Sequence, residues 1–493
     1  MSRAPTARPT APGTGSGTAP GTGSGTGSGT ADARAPRGLL PVLLTATFMT
    51  ALDVFVVNVA IPSLQSDLGA GPAAVQWVVA GFGLAFAAGL ITAGRLGDRH
   101  GRRRLFGLGL ALFTLASAAC GLAPTAGALV AARVAQGLAA ALMGPQVLAI
   151  LRTAYSGAAQ ARAFAMYGLT MGLGAVFGQL IGGVLIRADL FGLDWRSCFL
   201  LNLPVGLTAL ALVRRSLPES RAPHRPGLDP VGVALVTVAL TGLVLPLIQG
   251  PGAGWPLWTW LCLGGATALL ALFALHQHRS GPAGRSPLVD TRLFDIRRSA
   301  GRSFTTGLLV QLTFSLGQGS FFLVLALYLQ PGRGLDALGA GLVFTAIGLG
   351  YLATSTAAHR VAARLGRQAI ALGGLLMAAG LGLLGLAVHA TGTTGSVWWL
   401  APGLFVDGLG MGLVIAPVTS VVLAGVEPRL AGSAAGLVAT VQQVAGALGV
   451  ALIGILSYAA DDPVSAFGRS LVALAVLELL LAGLVQLLPR RTR

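Results

Sequence analysis

Apolar runs of about twenty residues, separated by short polar breaks, fill nearly all of the chain after residue 38. A helix that rises about 1.5 Å per residue needs about twenty residues to cross a ~30 Å hydrocarbon core. The pattern therefore predicts an all-α polytopic membrane protein. Fourteen transmembrane helices are expected, at residues 39–62, 74–94, 105–123, 127–151, 161–186, 197–213, 231–249, 256–276, 303–330, 338–358, 368–388, 398–425, 432–458 and 469–488.

Composition supports the bilayer as the main solvent of this chain. Hydrophobic residues make up 54% and charged residues 10% of its 493 residues, with a mean hydropathy of +0.77. Residues 1–37 differ, because they consist mostly of Gly, Thr, Ser, Ala and Pro and contain no apolar run. Such a segment cannot bury enough apolar surface to offset its chain entropy, so a disordered tail is predicted. No cleavable signal peptide is expected, since the first apolar run begins only near Leu39 and is long enough to span.

The net charge is +17, and all of the positive charge comes from Arg, because the 33 basic residues are all Arg and none is Lys. The absence of Lys excludes a P-loop lysine and disfavours transport driven by ATP on this chain. If the tail is cytoplasmic, 28 of the Arg residues fall on the inner side and four on the outer side, while Arg133 lies within a predicted helix. This asymmetry predicts that both termini are cytoplasmic. Arg residues dispersed over many short loops argue against nucleic acid as a partner.

The residues that usually hold metals or perform catalysis form no cluster in the sequence. The three cysteines are far apart, so neither a disulfide framework nor a thiolate metal site is indicated. His276 and His278 are two residues apart and would face different sides of a helix, so they do not form a metal-binding pair. We expect both to be exposed in a loop. The sequence therefore predicts no metal, no cofactor and no enzymatic activity.

An internal repeat indicates how the helices are grouped. GRLGDRHGR at 94–102 and HRVAARLGR at 359–367 align with an offset of 265 residues, and both link the second and third helices of a six-helix unit. Repeats of the same orientation are a known plan for transporters. We therefore predict two six-helix bundles plus two inserted helices, divided into a tail 1–37, a first bundle 38–215, an inserted pair with its loops 216–300 and a second bundle 301–493.

Several ordered motifs resemble the major facilitator superfamily, specifically its fourteen-helix drug:proton antiporter branch of the EmrB/QacA type. The resemblance covers nearly everything after the tail. It implies the major facilitator fold and proton-coupled efflux of small amphiphilic compounds, such as antibiotics or toxic metabolites. The motifs are LDVFVVNVAIP at 52–62, GRLGDRHGRRR at 94–104, RVAQG at 133–137, GLGAVFGQLIGG at 172–183, DWRSCFLLNLPVG at 194–206 and AGSAAGLVATVQQVAGALGVAL at 431–452.

The segment from Gly94 to Arg104 has the features of a latch between two helices. Gly94 and Gly101 permit tight turns, and Asp98 and Arg102 are four residues apart, the spacing of a helical ion pair. The resemblance implies a cytoplasmic gate in which Asp98 also faces the positive end of the helix at 432–458. An anchor that only sets the topology is the alternative. The residues of this motif are Gly94, Arg95, Asp98, Arg99, Gly101 and Arg102.

Four ionisable residues within apolar runs are candidates for proton coupling: Asp53, Arg133, Asp407 and Glu478. A charge inside the membrane is costly and usually faces a cavity or a partner. The resemblance implies a coupling role for Asp53 and proton transfer near Arg133. The alternatives are a structural carboxylate bonded to Asn58 or Thr50, an Arg that donates to backbone carbonyls, and structural roles for the other two acids.

Glycines at i, i+4 and i+8 mark the helix at 161–186 as one that packs closely against another helix: Gly174, Gly178 and Gly182, with Gly183 widening the groove. The family pattern linked to antiporters usually has Pro where this chain has Gln179. We expect Gln179 to bond either across the helix interface or to substrate, and packing alone is the simpler interpretation of the glycines.

These features favour a proton-coupled drug exporter that acts as a monomer in a bacterial cytoplasmic membrane, since the use of Arg without Lys is typical of a GC-rich bacterial genome. Its partners would be the lipid bilayer, protons and an amphiphilic or monocationic small molecule. A major facilitator uniporter or importer of a metabolite is the alternative within the same architecture. A non-transporting membrane sensor or scaffold is the alternative of another class.

Overall fold

The computed structural model describes residues 38–221, 227–280, 288–295, 299–423, 426, 430–458 and 462–488. The predicted disordered tail at 1–37 lies outside these residues. Within the described ranges the regular structure is entirely helical, with sixteen α-helices, three short 3₁₀ helices and one π-helical turn at Tyr328–Gly332. The expectation of an all-α fold is confirmed.

The first eight α-helices are α1 Leu39–Leu68, α2 Pro72–His100, α3 Arg102–Gly121, α4 Ala126–Ala154, α5 Gly157–Ala188, α6 Arg196–Leu200, α7 Asn202–Ser216 and α8 Pro230–Ala253. The remaining eight are α9 Leu257–Ser280, α10 Ser299–Leu327, α11 Ala337–Ser355, α12 Ala358–Leu365, α13 Gln368–Thr391, α14 Ala401–Leu423, α15 Ala431–Tyr458 and α16 Pro463–Val485. The 3₁₀ helices are Leu190–Gly192, Thr291–Phe294 and Val397–Leu400.

Fourteen segments among the described residues are long and apolar enough to cross a membrane, which confirms the predicted number of spans. The helices α6 and α7 together form one span, Arg196–Ser216. The helix α12 is too short to span and lies in the second copy of the repeat, where the sequence pattern predicts only a link.

The helix α2 is longer than predicted, because it continues to His100 instead of ending at residue 94. Gly94 is therefore inside a helix, and the expectation of a tight turn there is wrong. The turn occurs at Gly101, whose φ of 112° is one that residues other than glycine rarely adopt. The pattern of apolar residues fails to locate this end because the last helical turn is polar and extends beyond the span.

The same packing scheme occurs in both halves of the fold. In the first half α1 packs on α5 and α2 on α4, while in the second half α10 packs on α15 and α11 on α14. The halves meet where α2 contacts α15 and α5 contacts α11. The pair α8 and α9 pack against each other, and α8 also contacts α2 and α15. The interface between the halves is therefore formed by helices from both of them. The domain boundaries at 215/216 and 300/301 stay predictions.

Candidate functional site

A central cavity of about 260 Å³ lies between the two halves. Its walls come from α1, α2, α4 and α5 on one side and from α10, α11, α14 and α15 on the other. Polar side chains on these walls belong to Asn58, Arg133, Gln179, Ser315, Gln318, Tyr351, Gln442 and Gln443. A cavity at the interface of two repeats, with a few polar groups on apolar walls, has the form of a small-molecule site.

Three phenylalanines form a continuous aromatic wall in this cavity. The rings of Phe55 and Phe322 meet edge to face with centroids 5.1 Å apart, and Phe322 stacks on Phe344 with centroids 6.0 Å apart. Phe55 comes from α1, whereas Phe322 and Phe344 come from α10 and α11. The wall therefore joins the two halves and offers flat apolar surface to a bound compound.

Asp53 lies in the interior of the first half, with 0% exposure, and three side chains bond to its carboxylate. Oδ1 accepts hydrogen bonds from Gln136 Nε2 at 2.7 Å and Asn202 Nδ2 at 3.1 Å. Oδ2 accepts from Arg133 Nη1 in a buried ion pair. A fully bonded pair of this kind is tolerated inside a protein because every charge has partners.

The alternative of a structural Asp53 carboxylate named Asn58 and Thr50 as its partners, and neither side chain donates to Asp53. Asn58 donates instead to the carbonyl of Phe55 at 3.2 Å, and Thr50 donates to that of Ala46 at 3.0 Å. Arg133 does donate from Nε to a backbone carbonyl, that of Val78, at 3.1 Å, in addition to its bond with Asp53.

Arg133 connects this buried cluster to the central cavity. It bonds to Asp53 and to Gln136 Oε1 at 2.7 Å, yet it also forms part of the cavity wall. Its guanidinium carbon lies 4.5 Å from the centroid of the Phe82 ring, which fixes the group by a cation–π contact. Among the described lining residues it is the only one that carries a fixed charge. A change in the ionisation of Asp53 would therefore alter the charge that the cavity experiences.

Three members of this cluster were not among the candidate site residues predicted from the sequence. Gln136 and Asn202 stand within the quoted motifs RVAQG and DWRSCFLLNLPVG, so their presence there was the available signal. Ser117 is the third, and nothing in its apolar surroundings singles it out. Its hydroxyl accepts from Asn202 at 3.0 Å and from Gln136 at 3.2 Å, and donates to the carbonyl of Phe199 at 2.9 Å.

Asp407 and Glu478 belong to the second half and do not line the cavity. Each is 3% exposed, on α14 and α16 respectively. Oδ2 of Asp407 and Oε2 of Glu478 have no hydrogen-bond partner among the described residues. The structure therefore separates these two acids from the cluster of Asp53, and their role stays a prediction.

The glycines of α5 contact two different helices. A Cβ at Gly174 would lie 2.6 Å from the Cβ of Ala51, and one at Gly178 would lie 3.1 Å from the carbonyl oxygen of Leu52. Gly182 likewise faces α1, through Val56. Gly183 faces α11 instead, so, contrary to the expectation, it does not widen the groove that the other three glycines form. It differs because neighbouring residues on a helix point in directions about 100° apart.

Gln179 projects from α5 into the cavity wall. It is 1% exposed, and neither its amide oxygen nor its amide nitrogen has a partner among the described residues. The expectation of a bond across the helix interface is therefore not met in the structure.

The expected ion pair of the latch is present, with Arg102 Nη2 2.8 Å from Asp98 Oδ1. A second contact was not predicted: the backbone N–H of Arg103 donates to Glu219 Oε1 at 3.1 Å. Arg95 Nη1 donates to the carbonyl of Gly227 at 2.9 Å. These bonds tie the α2–α3 turn to the segment that follows α7. The expectation that Asp98 also faces the positive end of the helix at 432–458 stays a prediction.

Asp229 links the two inserted helices at the same end of the fold. It caps α8 by accepting from the N–H of Gly232 at 2.9 Å, and it also accepts from Gln277 at 2.8 Å and contacts His276 Nε2 at 2.9 Å. Burial opposes its ionisation, but these hydrogen bonds outweigh burial and lower the pKa of Asp229. Both His276 and His278 lie in α9, so the expectation of a loop is wrong.

Two bonds join the halves at the opposite end. Arg187 Nη1 is 2.7 Å from Asp336 Oδ2, and Gln330 Nε2 donates to the carbonyl of Val59 at 3.1 Å. Together with the contact of Gly183 on α11, they hold the two halves together at this end. Within the described ranges, no group of three or more His, Cys, Asp or Glu side chains is arranged to hold a metal ion.

Comparison with known proteins gives a consistent result. The family model described as Major Facilitator Superfamily matches residues 43–450. The chain is 40% identical to the "Probable actinorhodin transporter" of Streptomyces coelicolor, over 85% of this chain and 72% of that protein. It is 35% identical to the "Cephamycin export protein CmcT" of Amycolatopsis lactamdurans, over 91% of this chain and 92% of that protein.

Solved structures show a similar fold at low identity. A POT family transporter in complex with a thioalcohol-conjugated peptide superposes with a TM-score of 0.69 at 16% identity, over 91% of this chain and 95% of that one. The E. coli xylose transporter XylE, in a partially occluded inward-open conformation, gives a TM-score of 0.60 at 15% identity, over 89% and 97%. Because these identities are low, the likeness concerns the fold.

Proposed function

Since this chain belongs to the Major Facilitator Superfamily, a family whose model matches most of its length, we propose that it is a drug efflux transporter driven by protons. The observation that carries the proposal is the cavity shared by both halves, with Arg133 in its wall and Asp53 bonded behind it. The similarity to the cephamycin export protein supports outward transport, and this relative and the actinorhodin transporter together support a substrate class of antibiotic-like compounds.

Proton coupling would operate through the charge of Arg133. With Asp53 ionised, the pair is neutral and the cavity wall carries no net charge. Protonation of Asp53 removes the negative partner, so that an unpaired guanidinium faces the cavity and requires solvation. A solvated cation competes with an apolar compound for the same space, and by linkage the bound compound then disfavours protonation. Mutual exclusion of proton and substrate is the condition for antiport.

Gln136, Asn202 and Ser117 would act as positioning residues for this step. Their bonds hold the carboxylate of Asp53 towards Arg133 and fix the side-chain orientations on both sides. Asp407 and Glu478 remain candidates for a further proton, since both are buried acids in spans. They rank second to Asp53, because Asp53 is paired with Arg133 in the cavity wall and no such pair joins either of them to a lining residue among the described residues.

The chain is a multi-pass membrane protein, and we place it in the bacterial cytoplasmic membrane as a monomer with both termini inside. The excess of Arg on one side supports this orientation. In it, the latch of Asp98, Arg102 and Glu219 is cytoplasmic, and the bonds of Gln330 and Arg187 close the outer end. The structure would then correspond to a state closed to the outside.

The test uses a bacterial host that lacks its own exporters. Wild type and Asp53→Asn are expressed at matched levels, and accumulation of a panel of antibiotics is measured with and without a protonophore. Asp189→Asn, the same change in an exposed loop, is the control. We expect wild type and the control to lower accumulation only while the proton gradient is present, and Asp53→Asn to lose this effect. Unchanged accumulation of every compound would overturn export, and full gradient-dependent export by Asp53→Asn would overturn coupling through Asp53.

A further inference from the structure

Gln179 is the polar group of the cavity that most clearly lacks a partner. Both of its amide atoms are buried and unbonded among the described residues, although the side chain is 1% exposed and part of the cavity wall. Burying an amide without hydrogen bonds is unfavourable, so such a group in a native structure requires a reason. A ligand that supplies both a donor and an acceptor would satisfy it.

Other carboxamides line the same cavity from both halves. Asn58 belongs to α1, Gln318 to α10 and Gln443 to α15. A carboxamide offers a donor and an acceptor side by side and carries no charge. The polar part of the cavity is therefore suited to neutral groups with the same paired pattern, such as an amide or a hydroxyl next to a carbonyl.

The charges around the cavity disfavour a cationic ligand. No carboxylate occurs among the described lining residues, and the charged group that does line the cavity is the cation of Arg133. The carboxylate of Asp53 is already bonded to Arg133, and Asp407 and Glu478 are not in the wall. A cation that left water for this cavity would find no free counter-charge. An amphiphilic or monocationic substrate is expected from the sequence, and the charges around the cavity favour the uncharged members of that class.

The apolar part of the cavity is suited to a flat ring. Phe55, Phe322 and Phe344 form one continuous aromatic wall that spans both halves. Aromatic side chains favour offset-stacked or edge-to-face contacts with another ring. A planar aromatic compound stacked on this wall would therefore contact both halves at once.

We propose that the cavity binds uncharged planar aromatic compounds with adjacent hydrogen-bond donor and acceptor groups, and that Gln179 recognises that donor–acceptor edge. This inference rests on the proposed function, because it assigns the substrate class of the same cavity. It gives the Gln that replaces the usual Pro of the family motif a role in specificity.

The experiment compares three compounds built on one ring system. Anthraquinone-2-carboxamide is neutral and has a donor and an acceptor, 2-acetylanthraquinone is neutral and has only an acceptor, and 2-(trimethylammonio)anthraquinone is a cation. Binding of each to the purified full chain in lipid nanodiscs is measured by calorimetric titration. We expect the carboxamide to bind at least about tenfold more tightly than the cation.

Variants at Gln179 test the assigned contact. Gln179→Leu keeps the volume but removes the amide, so the affinity for the carboxamide should fall about tenfold and that for the acetyl compound by a smaller factor. Gln179→Glu supplies the missing counter-charge, so the affinity for the cation should rise about tenfold. Gln368→Leu is the matched control, because Gln368 is exposed and bonds to Gln486 at 2.8 Å, away from the cavity.

The proposal is overturned if wild type binds none of the compounds, if it binds the cation as tightly as the carboxamide, or if Gln179→Leu binds the carboxamide as wild type does. Gln179→Glu guards against a folding defect in Gln179→Leu, since a gain of cation binding requires a folded protein. Titration without a gradient separates this inference from export: the expected binding pattern without efflux would overturn only the proposed function, whereas efflux with a preference for cations would overturn only the inference.

Discussion

The ion pair of Asp53 and Arg133 is the residue-level feature on which the proposed mechanism depends. Both side chains are buried, and Gln136 and Asn202 bond to the same carboxylate. Replacement of a buried pair by neutral groups is often tolerated, whereas removal of one partner leaves an uncompensated charge. Stability and transport should therefore respond differently to single and double substitutions.

We expect Arg133→Ala to destabilise the protein by about 3–5 kcal/mol, because it leaves Asp53 charged and unpaired. The double variant Asp53→Asn/Arg133→Gln should recover most of this loss but remain without gradient-driven transport. Denaturant unfolding of the purified protein measures the first effect, and proton-driven uptake into everted vesicles measures the second. Equal stability of the single and double variants would contradict the assignment of a charged pair.

Asn202 provides a milder test of the same cluster. Asn202→Leu removes the bonds to Asp53 and Ser117 but leaves the ion pair in place. A hydrogen bond to a charged group contributes about 1.5–3 kcal/mol, so we expect transport to fall about tenfold or more. Thr50→Val is the control, because Thr50 bonds only to the carbonyl of Ala46 in the hydrogen bonds described and does not line the cavity. An unchanged transport rate in Asn202→Leu would exclude a positioning role.

Among the helices, the contact of α5 with α1 shows why small residues recur at four-residue spacing. Gly174 and Gly178 bring the α5 backbone against Ala51 and Leu52, whereas Gly168 on the same helix has no neighbour within 4 Å of a Cβ. The sequence identifies the stripe but not which helix it meets. Substitution of Gly174 and substitution of Gly168 should therefore affect stability differently, although both residues lie within α5.

Gly174→Ala should destabilise the protein by about 1–3 kcal/mol, because the added methyl group overpacks the α1–α5 contact. Gly168→Ala is the matched control and should be neutral or stabilising by up to about 1 kcal/mol, since Ala favours a helix over Gly. Thermal unfolding of both variants in the same detergent distinguishes the two cases. A stabilised Gly174→Ala variant would show that α1 and α5 pack less closely than in the structure.

The α2–α3 turn is a second feature at this scale. Gly101 adopts a φ of 112°, and a Cβ there would lie 2.6 Å from Glu219 Oε1. The spacing of Asp98 and Arg102 predicted their pair, but Glu219 is more than a hundred residues away and was not linked to it. Long-range partners of this kind depend on how α7 returns to the start of α3.

At the scale of the whole molecule, the bonds between the halves at one end indicate which rearrangement transport requires. The pair of Arg187 and Asp336 is mostly exposed and contributes little stability by itself. The distance between Arg187 and Asp336 can report the movement, because α5 and α11 must separate there if the cavity opens to that side. The bond from Gln330 to Val59 would have to break in the same movement.

A reducible cross-link tests this movement. Arg187→Cys and Asp336→Cys are introduced together in a Cys262→Ser background, since Cys262 is the partly exposed native thiol among the three. A short bis-methanethiosulfonate reagent should abolish export, and reduction should restore it. Each single-Cys variant treated with the reagent is the control. Full export by a completely cross-linked protein would show that this end does not open during transport.

The sequence by itself determined the all-helical membrane architecture, the fourteen spans and the candidate residues Asp53, Arg133 and Gln179, because hydropathy and rare polar residues are properties of local sequence. Only the tertiary structure decided that Asp53 bonds to Arg133, Gln136 and Asn202, which are 80, 83 and 149 residues away. It also decided that Gln179 faces the cavity and that Gly183 contacts α11. These outcomes depend on the rotation and tilt of each helix, which are set by packing between distant segments rather than by the apolar pattern within one span.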